Sequence, residues 1–191
     1  MNLILASQSP RRRELLGLIT KEFTVRAADI DETMDPNLPA ADEVARVSRA
    51  KAVAIAREPD DVVIAADTIV VCGGAVLGKP KSEEDAFQML SMLSGRDHQV
   101  MTGMTVLRGD EVRTSTVVTD IHFRKLSDAE IRAYIATGEP MDKAGAYGIQ
   151  GGAALFATHL NGDYYNVMGL PVCSLAMTLR EMGIAVWGVR A

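Results

Sequence analysis

Cysteine is nearly absent. The 191-residue chain has two, Cys72 and Cys173, with no CxxC pair and no Cys/His spacing, which excludes a zinc module and a dithiol redox centre. Each lies among apolar residues and reads as a small core side chain. Histidine is as scarce, and none of His98, His122 and His159 has a neighbour at metal-ligand or triad spacing, so all three read as structural. Positive charge is not in excess either. A net charge of −5 and a pI near 5.2 exclude a surface that is a footprint for nucleic acid or anionic lipid, so any anion site is local. No apolar stretch has the length of a membrane span, and the opening NLILASQSPRRR places its short apolar run before its charges, unlike a signal peptide. A cytoplasmic location is expected. No repeat or low-complexity linker divides the chain, and with 48% hydrophobic residues it is long enough to bury the core of one domain over residues 1–191.

What is present alternates short apolar runs with amphipathic stretches. Residues 3–6 read as a strand and 10–19 as a helix, followed by a strand at 23–26, an acidic loop at 29–32 and a long helix over 41–57 ended by Pro59. The run 62–71 is apolar and β-branched, as in a strand buried on both faces. Ser82 reads as the N-cap of a helix to residue 93, and 100–107 with 112–123 as a hairpin about Gly109 and Asp110. Ser127 and Glu130 make a capping box for a helix that Gly138 ends. The segment AYGIQGGAALF leads into a further strand, Asn161-Gly162 into a hairpin turn, Pro171 into a helix to residue 182, and residues 185–189 into a last strand. Hairpins mixed with strand-helix units predict an α/β fold with a mixed twisted sheet flanked by helices.

Several positions conflict with a merely structural reading. In LASQSPRRREL a strand ending in hydroxyl residues leads into a helix capped by Ser9 with Pro10 at its first position, which leaves backbone N–H groups for an anion. Arg11, Arg12 and Arg13 crowd the wrong end of that helix dipole unless an anion sits there; the alternative is a solvated basic turn. Lys51 shares a helical face with Val44, Val47, Ala54 and Ile55. It either faces a cleft holding carboxylate or phosphate, or snorkels along a rim. Asp67 interrupts the interior run DVVIAADTIVVC and must pair, bind metal or protonate, which marks a general base or metal ligand. Glu32 or Asp31 offers a companion carboxylate, and such hard oxygens suit magnesium or manganese. GGAVLGKPKS has phosphate-loop spacing but places Pro80 where a hydroxyl is required, so its glycines read as a hairpin turn and only Lys79 is retained. Gln150, in a glycine-rich segment, carries both a donor and an acceptor for a base edge.

The strings SQSPRRRELL, AADT, GKP, LSGRDHQV, DKAGAYGIQG and GDYYNVMGLP, in this order over nearly the whole chain, resemble the Maf family. The resemblance implies a fold similar to that of the inosine triphosphate pyrophosphatases, with two lobes about a central nucleotide cleft, often in a homodimer. It implies divalent-metal-dependent hydrolysis of a nucleoside triphosphate between its α and β phosphates. On the family pattern Asp67 is the catalytic base, Glu32 joins it at the metal (Mg2+ or Mn2+), and Ser7, Arg12, Lys51 and Lys79 hold phosphate. Arg11, Thr68 and Gln150 match the branch that acts on dTTP and UTP. Two other readings compete: a nucleotide sensor regulating septum formation without turnover, and a phosphatase releasing orthophosphate.

Overall fold

The computed structural model describes residues 1–55 and 57–190. Seven strands pair in the order β2-β1-β3-β5-β6-β7, with β4 hydrogen-bonded to β3. They are β1 (Leu3–Leu5), β2 (Thr24–Val25), β3 (Val62–Cys72), β4 (Ala75–Leu77), β5 (Asp97–Arg108), β6 (Glu111–Phe123) and β7 (Ala157–Asn161). Helices α1 (Pro10–Leu16), α2 (Ala40–Ala54), α3 (Glu83–Leu93), α4 (Asp128–Ile135), α5 (Tyr164–Met168) and α6 (Val172–Glu181) accompany them. β1 runs parallel to β2 and β3, whereas β4 is antiparallel to β3 and β7 to β6. The mixed α/β sheet predicted from the sequence is therefore present. The described residues fall into two compact units, one drawn from Met1–Asp67, Thr102–Val117 and Gly169–Ala191, the other from Thr68–Met101 and Val118–Met168.

In the first unit, burial of apolar side chains on both faces of the sheet organises the core. Val62 through Ala66 are fully buried, and Ile4, Ala6, Val63, Ala65 and Leu107 pack with Ala52 and Ile55. α2 buries Val44, Val47, Ser48, Lys51 and Ala52, the three-and-four spacing of one helical face. It presses so closely on β5 that a Cβ on Gly103 would fall on the Val44 carbonyl, which is why only glycine serves there. The second unit is held by aromatic side chains. Phe123, fully buried, packs edge-on against His98 and Tyr147, each at 4.8 Å between centroids, and against Phe156, which meets Tyr134 at 5.2 Å. Edge-to-face pairs of this kind each add about 0.5–1.5 kcal/mol beyond area burial.

Local expectations are met where a cap is encoded. Ser9, Ser82 and Ser127 each accept a backbone N–H in the first turn of α1, α3 and α4, and Ser127 with Glu130 forms the full capping box. The long helix ends sooner than its pattern suggests: Ile55 is extended, and Ala56, within the predicted helix, lies outside the described residues. Three readings are corrected. Asn161-Gly162 does not turn a hairpin; the chain enters α5, because the buried Asn166 donates to the Val100 carbonyl (3.0 Å) and to Thr119 Oγ1 (2.9 Å), which also donates to the Asp163 carbonyl. Residues 185–189 form no strand. Val186 and Val189 instead exchange backbone hydrogen bonds across a turn in which Trp187 and Gly188 have φ of 55° and 78°. Cys72 is buried but Cys173 is exposed: α6 turns Leu175 and Leu179 inward, and Cys173 lies with Met177 on the other face.

Candidate active site

The first unit brings together most of the residues singled out by the sequence. β1 delivers the chain to Ser7, which is 9% exposed. Its Oγ accepts from the Ser9 amide (3.2 Å) and from Arg12 Nη1 (3.2 Å), while Arg12 Nε donates to the Gly169 carbonyl at 2.8 Å. With both oxygen lone pairs engaged, the Ser7 hydroxyl hydrogen is the group left to donate. The short helix α1 thus aims one arginine, and its direction is fixed at two points. Burial lowers the Arg12 guanidinium pKa and Arg11 adds to this, whereas Asp67 and Glu32 raise it. Arginine stays charged under such conditions, so a cation, two carboxylates and a second arginine share one electrostatic neighbourhood.

Asp67 stands on β3 directly after five fully buried residues and is itself 8% exposed. A carboxylate there requires a partner, and α2 supplies it: Lys51 Nζ donates to Asp67 Oδ1 at 2.7 Å. The same ammonium meets Glu32 Oε2 at 2.9 Å. Two carboxylates from different segments therefore converge on a single nitrogen. The Asp67 arm is the stronger one, since both side chains are buried; that of Glu32 is 55% exposed and solvent screens it. The loop that presents Glu32 is fastened to α2. Glu43 accepts from the Asp35 amide (2.7 Å) and pairs with Arg46, which donates to the Thr33 carbonyl at 2.8 Å. The Arg46 bonds are the main reason the Glu43 carboxyl titrates near about 2. Between the two companions left open by the sequence, Glu32 is the one that reaches Lys51. Asp31 turns into its own loop and accepts from the Thr33 amide.

The second unit carries the remaining candidates. Thr68 follows Asp67 on β3 and is half-buried, so by strand alternation it faces the other way. Gly73 and Gly74, with φ of 56° and 84°, turn β3 into β4, in keeping with the rejection of a phosphate loop. Lys79 is exposed, and its loop is held by the Gly145 amide donating to the Gly78 carbonyl at 3.0 Å. Gln150 is exposed at the tip of a turn closed by the Gly151 amide on the Gly148 carbonyl.

Among the described residues no three His, Cys, Asp or Glu side chains cluster as a complete metal cage. The Glu32 and Asp67 pair nevertheless fits magnesium or manganese: two hard oxygens are gathered within 3 Å of one cationic nitrogen, and such ions take one or two carboxylates together with waters and substrate phosphates. The sequence reading missed the Gly169 carbonyl, because a backbone acceptor leaves no mark in residue type. The string GDYYNVMGLP contains it and was the only available hint.

Comparison with known proteins accords with this geometry. The Maf-like protein family matches residues 2–182. A dTTP/UTP pyrophosphatase from Geotalea uraniireducens is 51% identical over 185 residues, covering 95% of each chain. One from Moorella thermoacetica is 50% identical over 190 residues, covering 97% of each, and one from Hahella chejuensis 46% over 189, covering 97% of this chain and 94% of the relative. Among solved structures, a HAM1 protein from Coxiella burnetii shares the fold at a TM-score of 0.51 and 12% identity, over 95% of this chain and 99% of that one. By the family match and by relatives alike over nearly its full length, the chain belongs to the Maf-like protein family.

Proposed function

We propose that the chain is a nucleoside triphosphate pyrophosphatase that hydrolyses dTTP and UTP to the nucleoside monophosphate and pyrophosphate. The observation that carries this reading is the convergence of Asp67 and Glu32 on Lys51, in the unit that also aims Arg12 from Ser7. Relatives at 46–51% identity, named for this activity, support the choice of substrate.

In the proposed reaction Asp67 takes a proton from water as the water oxygen attacks the α-phosphorus. A P–O bond forms there, the bond from the α-phosphorus to the bridging oxygen breaks, and pyrophosphate leaves with that electron pair. Arg12, Lys51 and Lys79 balance the charge on the leaving group, and the Ser7 hydroxyl donates to a phosphate oxygen. Lys51 can do this because its contact with the exposed Glu32 is the weaker of its two, so that phosphate can take that place beside Asp67. Glu32 and Asp67 are the residues that would hold Mg2+ or Mn2+, which supplies Lewis-acid polarisation of the phosphates when bound. Arg11, Thr68 and Gln150 select the pyrimidine. The same reading places the enzyme in the cytosol as a homodimer.

The test is a product assay with purified protein, a divalent ion and a panel of triphosphates, separating pyrophosphate from orthophosphate. Pyrophosphate from dTTP and UTP is expected, with turnover lowered about 10²–10⁴-fold in Asp67→Asn, the range of a lost general base. Orthophosphate as the product would replace this reading with a phosphatase, and nucleotide binding without turnover would replace it with a sensor.

A further inference from the structure

Gln150 sits on a five-residue turn with no regular secondary structure at its tip and three glycines around it, Gly148, Gly151 and Gly152. Such a turn is intrinsically loose, since glycine loses the most conformational freedom on ordering. Here it is tied at both shoulders to neighbouring side chains. The Gly148 amide donates to Tyr134 Oη at 3.0 Å, Tyr134 Oη donates to Glu139 Oε1 at 2.9 Å, and Glu139 Oε2 accepts from the Gly152 amide at 3.0 Å. One phenol and one carboxyl group thus form a closed relay under the turn.

The surroundings hold the relay in turn. Tyr134 projects from α4 and its ring packs edge-on against Phe156. Burial pushes its phenol above the ordinary tyrosine range, so the O–H proton is retained and the oxygen can donate to Glu139 while accepting from Gly148. Glu139 follows Gly138, whose φ of 76° reverses the chain after α4, and Lys143 Nζ donates to the Glu139 carbonyl at 2.6 Å. The turn lies directly on this carboxyl group: a Cβ on Gly151 would fall on Glu139. Gly148 is likewise crowded by Lys143 and Glu139 and Gly152 by the Tyr134 ring, so the glycines follow from this close approach, and the relay compensates for the freedom they bring.

We infer that Tyr134 and Glu139 are specificity-determining positioning residues, which fix the Gln150 turn so that its carboxamide accepts only a pyrimidine edge of the right reach. This inference rests on the reading of Gln150 as the residue that contacts the base. A carboxamide has both a donor and an acceptor and can bond to any base that reaches it; on a fixed turn, base size and edge geometry decide which base does. Misplacement by about 1 Å is enough to cost on the order of a hundredfold in a positioned reaction.

The experiment measures kcat/KM for UTP and for GTP in the full-length protein and in Glu139→Ala, Glu139→Gln, Tyr134→Phe and Gln150→Ala, with the thermal midpoint of each. Hydrogen exchange of the residue 148 and 152 amides is followed in parallel. The UTP-over-GTP ratio is expected to fall at least about tenfold in Glu139→Ala and Tyr134→Phe, through KM for UTP more than kcat, with faster exchange at the two amides. Glu139→Gln keeps one acceptor, enough for the Gly152 amide but not also for the Tyr134 hydroxyl, and is expected to restore the ratio in part. A ratio that stays put in Glu139→Ala while it collapses in Gln150→Ala would reduce the relay to a stabilising contact. A ratio unmoved in Gln150→Ala itself would overturn the base-reading assignment, and this inference with it.

Discussion

Lys51 is the residue on which the first unit settles its charges. Its ammonium is nearly enclosed, and it faces Asp67 at 2.7 Å and Glu32 at 2.9 Å. Removing it leaves two carboxylates turned toward one another, one of them buried. Lys51→Met is therefore expected to lower stability by about 3 kcal/mol, at the low end for a broken buried pair because the Glu32 arm is screened. The double variant Lys51→Met/Asp67→Asn removes the uncompensated charge and recovers part of that loss. Magnesium or manganese is expected to raise the urea midpoint of the single variant more than that of the unaltered protein. Urea titration with and without the ion decides this; a double variant as unstable as the single one would show that the pair is not the cause. The three-and-four spacing around Lys51 and the lone acid in a buried run were both legible from the sequence, because each violates a local pattern. The choice of Glu32 over Asp31 came from the family resemblance and not from the local pattern. The two are adjacent in a loop without periodicity, and what separates them is the anchoring of that loop by Glu43 and Arg46.

At the scale of elements, what was legible tracks how local the cause is. Caps involve residues three apart, so α1, α3 and α4 begin where Ser9, Ser82 and Ser127 announce them. The cap of α4 also bears on the turn that carries Gln150, since Tyr134 lies on the same helix. Ser127→Ala is expected to cost about 1 kcal/mol in urea unfolding, and Ser127→Gly only a few tenths. A Ser127→Ala variant as stable as the unaltered protein would mean that the side-chain bond to the Glu130 amide (3.3 Å) contributes nothing. Asn161-Gly162 misled because its dipeptide is a hairpin signal, whereas the deciding bonds come from Asn166 to Val100 and Thr119, far away in sequence. The turn at Trp187 and Gly188 was hidden for a related reason: alternating apolar residues mimic a strand until a non-glycine adopts positive φ.

For the molecule as a whole, the acid side of the stability profile has two windows. The His98 imidazole lies among Phe123 and Tyr147, and burial pushes its pKa down to about 4. An unfolded histidine titrates near 6.5, so between these values the unfolded chain binds more protons and stability falls as pH falls. The contribution is fully present above about pH 6.5, and its loss by pH 4 is on the order of 3 kcal/mol. Glu43 and Glu130, held near about 2 by Arg46 and Arg124, act in the opposite sense of charge and in a lower window: their contribution is present above about 4.5 and lost toward 2. His98→Gln should flatten the dependence of the unfolding midpoint between pH 6.5 and 5 while leaving the steeper loss below 4.5. An unchanged slope in that variant would place the upper window elsewhere. The division into two units, each with its own core, was not marked by the residue pattern, because β3, β5 and β6 each run through both as continuous strands; two lobes were expected only from the family resemblance.

The unequal placement of the two thiols has a practical consequence. Cys173 is exposed on α6, whereas Cys72 lies at the end of β3 with its Sγ 3.8 Å from the Met92 carbonyl. Toward an alkylating reagent the folded chain behaves as a one-thiol protein. The first equivalent marks a site four residues from the carbonyl that holds Arg12, and the second is taken up only as fast as the unit around Cys72 opens, so reagent uptake becomes a clock for local unfolding.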